Sequence, residues 1–290
     1  MKQYSKLHEV INDKRHFRKI VQIVIITLSI VHFSCERKKQ SEVITESNYR
    51  KIDSLIWVEY EQETEKISED LQKYPEKRDS LIAASEQIYA IAQKKNIEAA
   101  IKYASVPSGL RRLFMLRLYI SKDTISSILK TLPDSMQISP YGKSLLYHIE
   151  TKQISEGDKY YDFQAINTDG SDFALSSLEG KNILLLYGGL DCMGPNGRAY
   201  LNKIYKETPR KNFEIVVYCP NSDLENLQQV RTAYPCDFIL VSDFLQDHTP
   251  MKILYGAQAT PTCFFINQQG TVVMKTTGLY QSRVNQLITE

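Results

Sequence analysis

The chain changes its pattern of apolar and polar positions about halfway along. Between residues 47 and 150 apolar residues recur three and four apart. Leu81, Ala84, Ile88, Ile91 and Ala92 form one such series, and Leu110, Leu113, Phe114, Leu116 and Leu118 a looser one. That spacing puts them on one side of a helix. Pro75, Pro107, Pro133 and Pro140 punctuate the stretch, which predicts several short helices rather than one coiled coil. Ser108 and the pair Asp123-Thr124 stand where helix caps are expected.

From residue 157 onward the apolar positions come instead in short continuous runs. Residues 163–166 read as a strand, Asp169-Gly170 as a hairpin turn, and Phe173 and Leu175 as the return. The strongest run is 183–187, followed by a Gly-rich bend and a polar helix over 198–206. Strands over 213–219, 238–241, 263–266 and 271–274 follow, with helices over 224–232 and 250–255 and a last one closing near Ile288. Strands alternating with helices and ending in a hairpin and a helix predict an α/β unit with a mixed sheet, preceded by a separate all-α region.

A third pattern lies at the N-terminus, where Arg18 and Lys19 precede the apolar run 20–33 and then Ser34-Cys35. The run is short for a bilayer span but suits the apolar core of an export signal, and Ser34-Cys35 resembles the lipobox of bacterial lipoproteins, in which the cysteine is lipidated. The expected organisation is a signal peptide over 1–34, a polar tether over 35–46, a helical domain over 47–152 and an α/β domain over 153–290. Cys35 would then hold the protein by lipid to a bacterial membrane, facing the periplasm or the exterior of the cell envelope. Outside the cytoplasm disulfides persist.

Charge and composition exclude more than they suggest. The formal charge is +2, but residues 1–34 hold six of the 36 Lys/Arg and two of the 34 Asp/Glu, so the remainder carries −2. Nothing in that balance points to nucleic acid. No His/Cys/Asp/Glu spacing fits a metal site, His148 and His248 stand alone, and no cofactor is expected. Arg111, Arg112 and Arg117 read as a solvated helix face, and Trp57 as packing.

One residue carries candidate chemistry. Cys192 lies where the run 183–187 hands over to a helix, a position at which unpaired backbone N–H groups and the helix dipole stabilise a thiolate. Around it the chain resembles the extracytoplasmic thioredoxin-like proteins of the TlpA/ResA type. The pieces stand in that family's order from residue 157 to 290: Asp162-Phe163, Asp169-Gly170, the segment 175–181, the apolar strand, Cys192, the segment Ala259-Thr260-Pro261-Thr262, Phe264-Phe265-Ile266 and Gln269-Gly270.

The resemblance implies a thioredoxin-like fold and thiol-disulfide exchange with protein thiols or disulfides as substrates. It makes Cys192 the nucleophile and Pro261 a cis-proline lining the substrate groove, with Thr260 beside it. It also exposes a departure. The family's second cysteine is missing: Pro195 occupies its place, or Asn196 if one residue is inserted, and Asp191 replaces the usual tryptophan. If the family's strand order holds, Cys219 and Cys263 lie near the same sheet edge and are candidates for the resolving thiol, with core packing as the alternative for both; Cys236 is the weakest candidate. Two functions follow: a tethered oxidoreductase working through Cys192 in place of a thiol pair, contributing to redox homeostasis of the envelope, or a redox-inactive thioredoxin scaffold that binds a protein partner. A peroxidase is disfavoured, because Leu185 and Gly189 stand where peroxiredoxins carry their Pro and Thr or Ser.

Overall fold

The computed structural model describes residues 43–289. The expected signal peptide, the lipidation site Cys35 and most of the tether lie outside the described residues. From Ile44 onward the chain packs as one compact unit.

The first half is helical. Two long helices, α1 (Glu46–Lys73) and α2 (Arg78–Lys102), lie side by side, and shorter ones follow: α3 (Pro107–Met115), α4 (Lys122–Thr131), α5 (Asp134–Gln137) and α6 (Pro140–Glu150). Short helices alone were expected, and the first two are not short. The prolines open elements instead of cutting them: Pro75, Pro107 and Pro140 each sit in the first turn, where a missing N–H is no loss. Both expected caps are displaced. Ser121 caps α4 by accepting from the Thr124 N–H, and Ser108 lies inside α3, where its backbone N–H donates to Glu46 Oε2 at 3.1 Å. Leu110, Leu113, Phe114, Ile125, Leu129 and Leu145 form the helical core, and Ile253 from the second half joins it. Trp57 is half-buried and meets Tyr60 edge-on at 5.8 Å.

The second half is a seven-stranded sheet of order β2-β1-β5-β4-β3-β6-β7. Its strands are β1 (Gln164–Asn167), β2 (Asp172–Ala174), β3 (Asn182–Tyr187), β4 (Phe213–Tyr218), β5 (Ile239–Ser242), β6 (Thr262–Ile266) and β7 (Val272–Thr277). β3 runs parallel to β4, and β4 to β5; the other pairings are antiparallel. Both faces are covered. Leu184 and Leu186 pack with residues of α7 (Gly194–Glu207), α8 (Leu224–Ala233) and α10 (Gln281–Thr289), while Leu185 and Tyr187 pack on the other side with Tyr218, Tyr255 and Phe264. Two-sided burial is why β3 is apolar without alternation. Each fully buried leucine there contributes roughly 1.5–3 kcal/mol. The short helix α9 (Pro250–Leu254) lies on the second face and meets α6 of the helical half.

Candidate active site

β3 ends at Tyr187, and the next two residues, Gly188 and Gly189, have φ of +62° and +99°. No other residue type fits here. A Cβ on Gly188 would stand 2.8 Å from Thr260 Cγ2, and one on Gly189 would stand 2.5 Å from Pro261 Cβ. The two glycines therefore let the loop before β6 lie directly against the end of β3. The Thr260–Pro261 peptide bond is cis, and the Pro261 carbonyl accepts from the Gly278 N–H at 2.8 Å.

After the glycines the chain turns over residues 190–193, with the Met193 N–H donating to Gly189 O at 3.0 Å, and enters α7 at Gly194. This is four residues earlier than the expected start at residue 198. Pro195 in the first turn favours the helix there, because its fixed φ is already helical. Cys192 sits in the turn and is exposed. Its Sγ donates to the Thr260 carbonyl oxygen at 3.0 Å and lies 3.8 Å from Thr260 Oγ1. The thiol S–H is the donor in that bond. Asp191, Pro195 and Asn196 are all exposed beside it.

A groove of about 240 Å³ opens next to this turn, lined by Gly189, Asp191, Cys219, Pro220, Tyr234 and Thr260 among others. A cleft of about 320 Å³ at the far end of β3, lined by Tyr160, Glu179 and Gln269, holds no thiol. Among the four described cysteines Cys192 alone is exposed, and none is in a disulfide. Cys219 follows β4 directly, and burial pushes its thiol up to about 12. Cys263, opposite Leu186 on β6, is fully buried, and burial pushes it to about 12 as well. Both belong to the core on the α7 side of the sheet. Cys236 is half-buried, with the Arg231 guanidinium 3.4 Å from its sulfur.

The residues that sequence reasoning missed lie on the other side of the loop. Arg117 is fully buried rather than solvated, which corrects that expectation; Arg112 is half-buried against Asp53 at 3.0 Å, and only Arg111 of the three is exposed. Arg117 Nη1 donates to Gln258 Oε1 at 2.6 Å, three residues before Pro261. Nearby, Lys252 is 3% exposed and its Nζ meets Asp247 Oδ1 at 2.5 Å. A signal was available: Arg117 interrupts an otherwise apolar stretch, where a long charged side chain either snorkels or is paired.

The Redoxin family matches residues 155–286. The chain is 29% identical over 130 residues to the thiol-disulfide oxidoreductase ResA of Bacillus subtilis (strain 168), an alignment covering 44% of this chain and 70% of that protein. It is 27% identical over 126 residues to ResA of Halalkalibacterium halodurans, covering 42% and 68%. Among solved structures, the thioredoxin domain of a thiol-disulfide oxidoreductase from Bacteroides vulgatus is 17% identical, with a TM-score of 0.42, covering 47% of this chain and 99% of that one. Sheet order, site and family matches define the second half of the chain as a thioredoxin-like domain. More narrowly, it is similar to the Redoxin family and to the thiol-disulfide oxidoreductases named ResA.

Proposed function

We propose that the protein is an exported, membrane-tethered thioredoxin-like protein that exchanges thiols and disulfides through the single nucleophile Cys192. The observation that carries this reading is the exposed Cys192 sulfur 3.0 Å from the Thr260 carbonyl, beside a cis proline. In the first step the Cys192 thiolate attacks one sulfur of a protein disulfide. A mixed disulfide forms and the other sulfur leaves as a thiolate. Pro261 and Thr260 present backbone to the substrate chain, and Asp191, Pro195 and Asn196 form the exposed rim.

Cys219 and Cys263 are both buried, and burial raises both thiols, which disfavours either of them as the resolving group. Resolution then falls to an outside thiol. If a third cysteine of the substrate attacks the substrate sulfur of the mixed disulfide, Cys192 is released and the substrate disulfide is reshuffled without net electron flow. If a low-molecular-weight thiol instead attacks the Cys192 sulfur, the substrate cysteine leaves reduced and Cys192 is left bonded to that thiol; a second such thiol then attacks the first one's sulfur, freeing Cys192 and forming the disulfide of the small thiol. The tether rests on the apolar run 20–33 and Cys35.

The alternative, a redox-inactive scaffold that binds a protein partner, is favoured by the absence of cysteine at positions 195 and 196. Exchange with a fluorescent mixed-disulfide peptide separates the two. The parent chain should accelerate it and Cys192→Ser should not; equal rates for both would leave only the scaffold.

A further inference from the structure

We infer that the helical half is part of the thiol site, with Arg117 as a positioning residue that fixes Gln258 and thereby sets where Thr260 and Pro261 stand against Cys192. The inference rests on the thiol-exchange reading for its chemistry and on geometry for its structure. The Arg117 guanidinium grips the approach to Pro261 at three points: Gln258 Oε1 at 2.6 Å, Lys252 O at 3.2 Å and Ala257 O at 3.3 Å. On its own side it donates to Phe114 O at 3.1 Å and lies over the Phe114 ring at 4.4 Å. Gln258 answers by donating through Nε2 to the Met115 carbonyl, so the contact runs in both directions between the halves.

The acceptors around Arg117 are all uncharged oxygens, although the side chain is fully buried. As packing this is a poor solution, because a buried charge without a carboxylate is costly and an apolar side chain of similar volume is often as stable. What an apolar side chain cannot do is hold the Gln258 and Ala257 oxygens of the loop in a fixed relation to Lys252 O at the middle of α9, as the guanidinium fork does. Ala259 and Thr260 beyond the grip are exposed, so the segment facing Cys192 gets little positioning from burial. Downstream it is held by Thr262 Oγ1 donating to Ala259 O at 2.6 Å and by Gly278 on Pro261 O. Upstream it is held by the Ala257 N–H on Lys252 O at 3.0 Å and, through the Gln258 side chain, by Arg117.

The test uses the full chain with Arg117→Met and Gln258→Ala, read in two ways. Deuterium uptake by residues 256–263 should quicken about tenfold in both variants, with uptake in β3 unchanged, as expected when hydrogen bonds local to one loop are lost. In exchange with a mixed-disulfide peptide, the half-saturating peptide concentration should rise about fivefold while the maximal rate falls less than about twofold, because the groove and not the sulfur is disturbed. Gln258→Glu keeps the acceptor for Arg117 and should recover most of the parent uptake. Should Arg117→Met fail to fold, Gln258→Ala, at a half-buried position, decides alone. Parent-like uptake of 256–263 in Gln258→Ala, or loss of protection spread equally over the sheet, would overturn the inference. The uptake measurement does not involve Cys192, so it decides even if the parent chain exchanges no disulfide.

Discussion

The close approach of the Pro261 loop to the end of β3 can be isolated by comparing two glycine substitutions. Gly180 and Gly189 have similar backbone conformations, with φ of +82° and +99°. A side chain at either costs roughly 1–2 kcal/mol for the left-handed backbone alone. At Gly180 a new Cβ would find nothing within 4 Å, so Gly180→Ala measures that backbone cost by itself. At Gly189 the Cβ would lie 2.5 Å from Pro261 Cβ, 2.8 Å from its nitrogen and 2.9 Å from its Cα. Carbon atoms rest at about 3.5–4.0 Å, so the overlap is near 1 Å or more. No rotamer change relieves it, because the atoms struck are backbone and ring. Overpacking of that kind adds about 1–3 kcal/mol. Gly189→Ala should therefore be about 2 kcal/mol less stable than Gly180→Ala, measured by urea unfolding followed by far-UV circular dichroism. Stabilities of the two variants within about 0.5 kcal/mol of each other would mean that the loop does not lie against Gly189 as described.

Three further outcomes are expected. Iodoacetamide should modify Cys192 at least about tenfold faster than Cys219, Cys236 or Cys263 in the folded chain, since reactivity follows exposure and thiolate access; equal labelling, read by peptide mass spectrometry, would favour the scaffold. His148 is 2% exposed, and burial, with Arg117 and Lys122 nearby, pushes it down to about 4 from 6.5. The unfolded chain therefore takes up a proton that the folded chain refuses, so stability is full above pH 6.5 and falls toward pH 4. That loss is about 2 kcal/mol between pH 7 and 5. His148→Gln should abolish this part of the slope in urea titrations, and an unchanged slope would refute the burial account. Cys35→Ala should move the protein from the membrane fraction to the soluble one, and continued retention would count against lipidation.

The order of the sheet elements was legible because both faces of the sheet are covered, which turns β3 and its neighbours into uninterrupted apolar runs. Most strand ends slipped by one residue and the end of β7 by three, since a strand end is set by its partner as much as by its own composition. α7 was read late because Gly194-Pro195 looks like a turn, whereas proline in a first turn starts a helix. The long helices α1 and α2 were hidden for a different reason. They bury few residues, Tyr49 and Ile56 in the first and Ala92, Asn96, Ala99 and Ala100 in the second; the series Leu81 to Ala92 marks only part of α2, and no such series was read in α1. Cys192 stood out from local sequence, and Pro261 from resemblance alone. Arg117 meeting Gln258 could not be foreseen. The two are 141 residues apart, and neither carries a pattern that names the other.

Loss of the second cysteine changes what the surroundings of the first must provide. A thiol pair releases its substrate from within, so its nucleophile can afterwards be shielded by the bound chain without harm. In the proposed reaction a lone Cys192 would form a mixed disulfide that persists until another thiol reaches one of its two sulfurs, and the rate of release would then be set by access from outside. The exposed turn 190–193 and the exposed positions 195 and 196 leave that path open on one side. The opposite side is closed by the Pro261 loop, which the helical half braces through Arg117. A scaffold that only bound a partner would need the groove and the brace, but it would gain nothing from an uncovered sulfur. The exposure of Cys192, more than its presence, is the feature that favours exchange over binding.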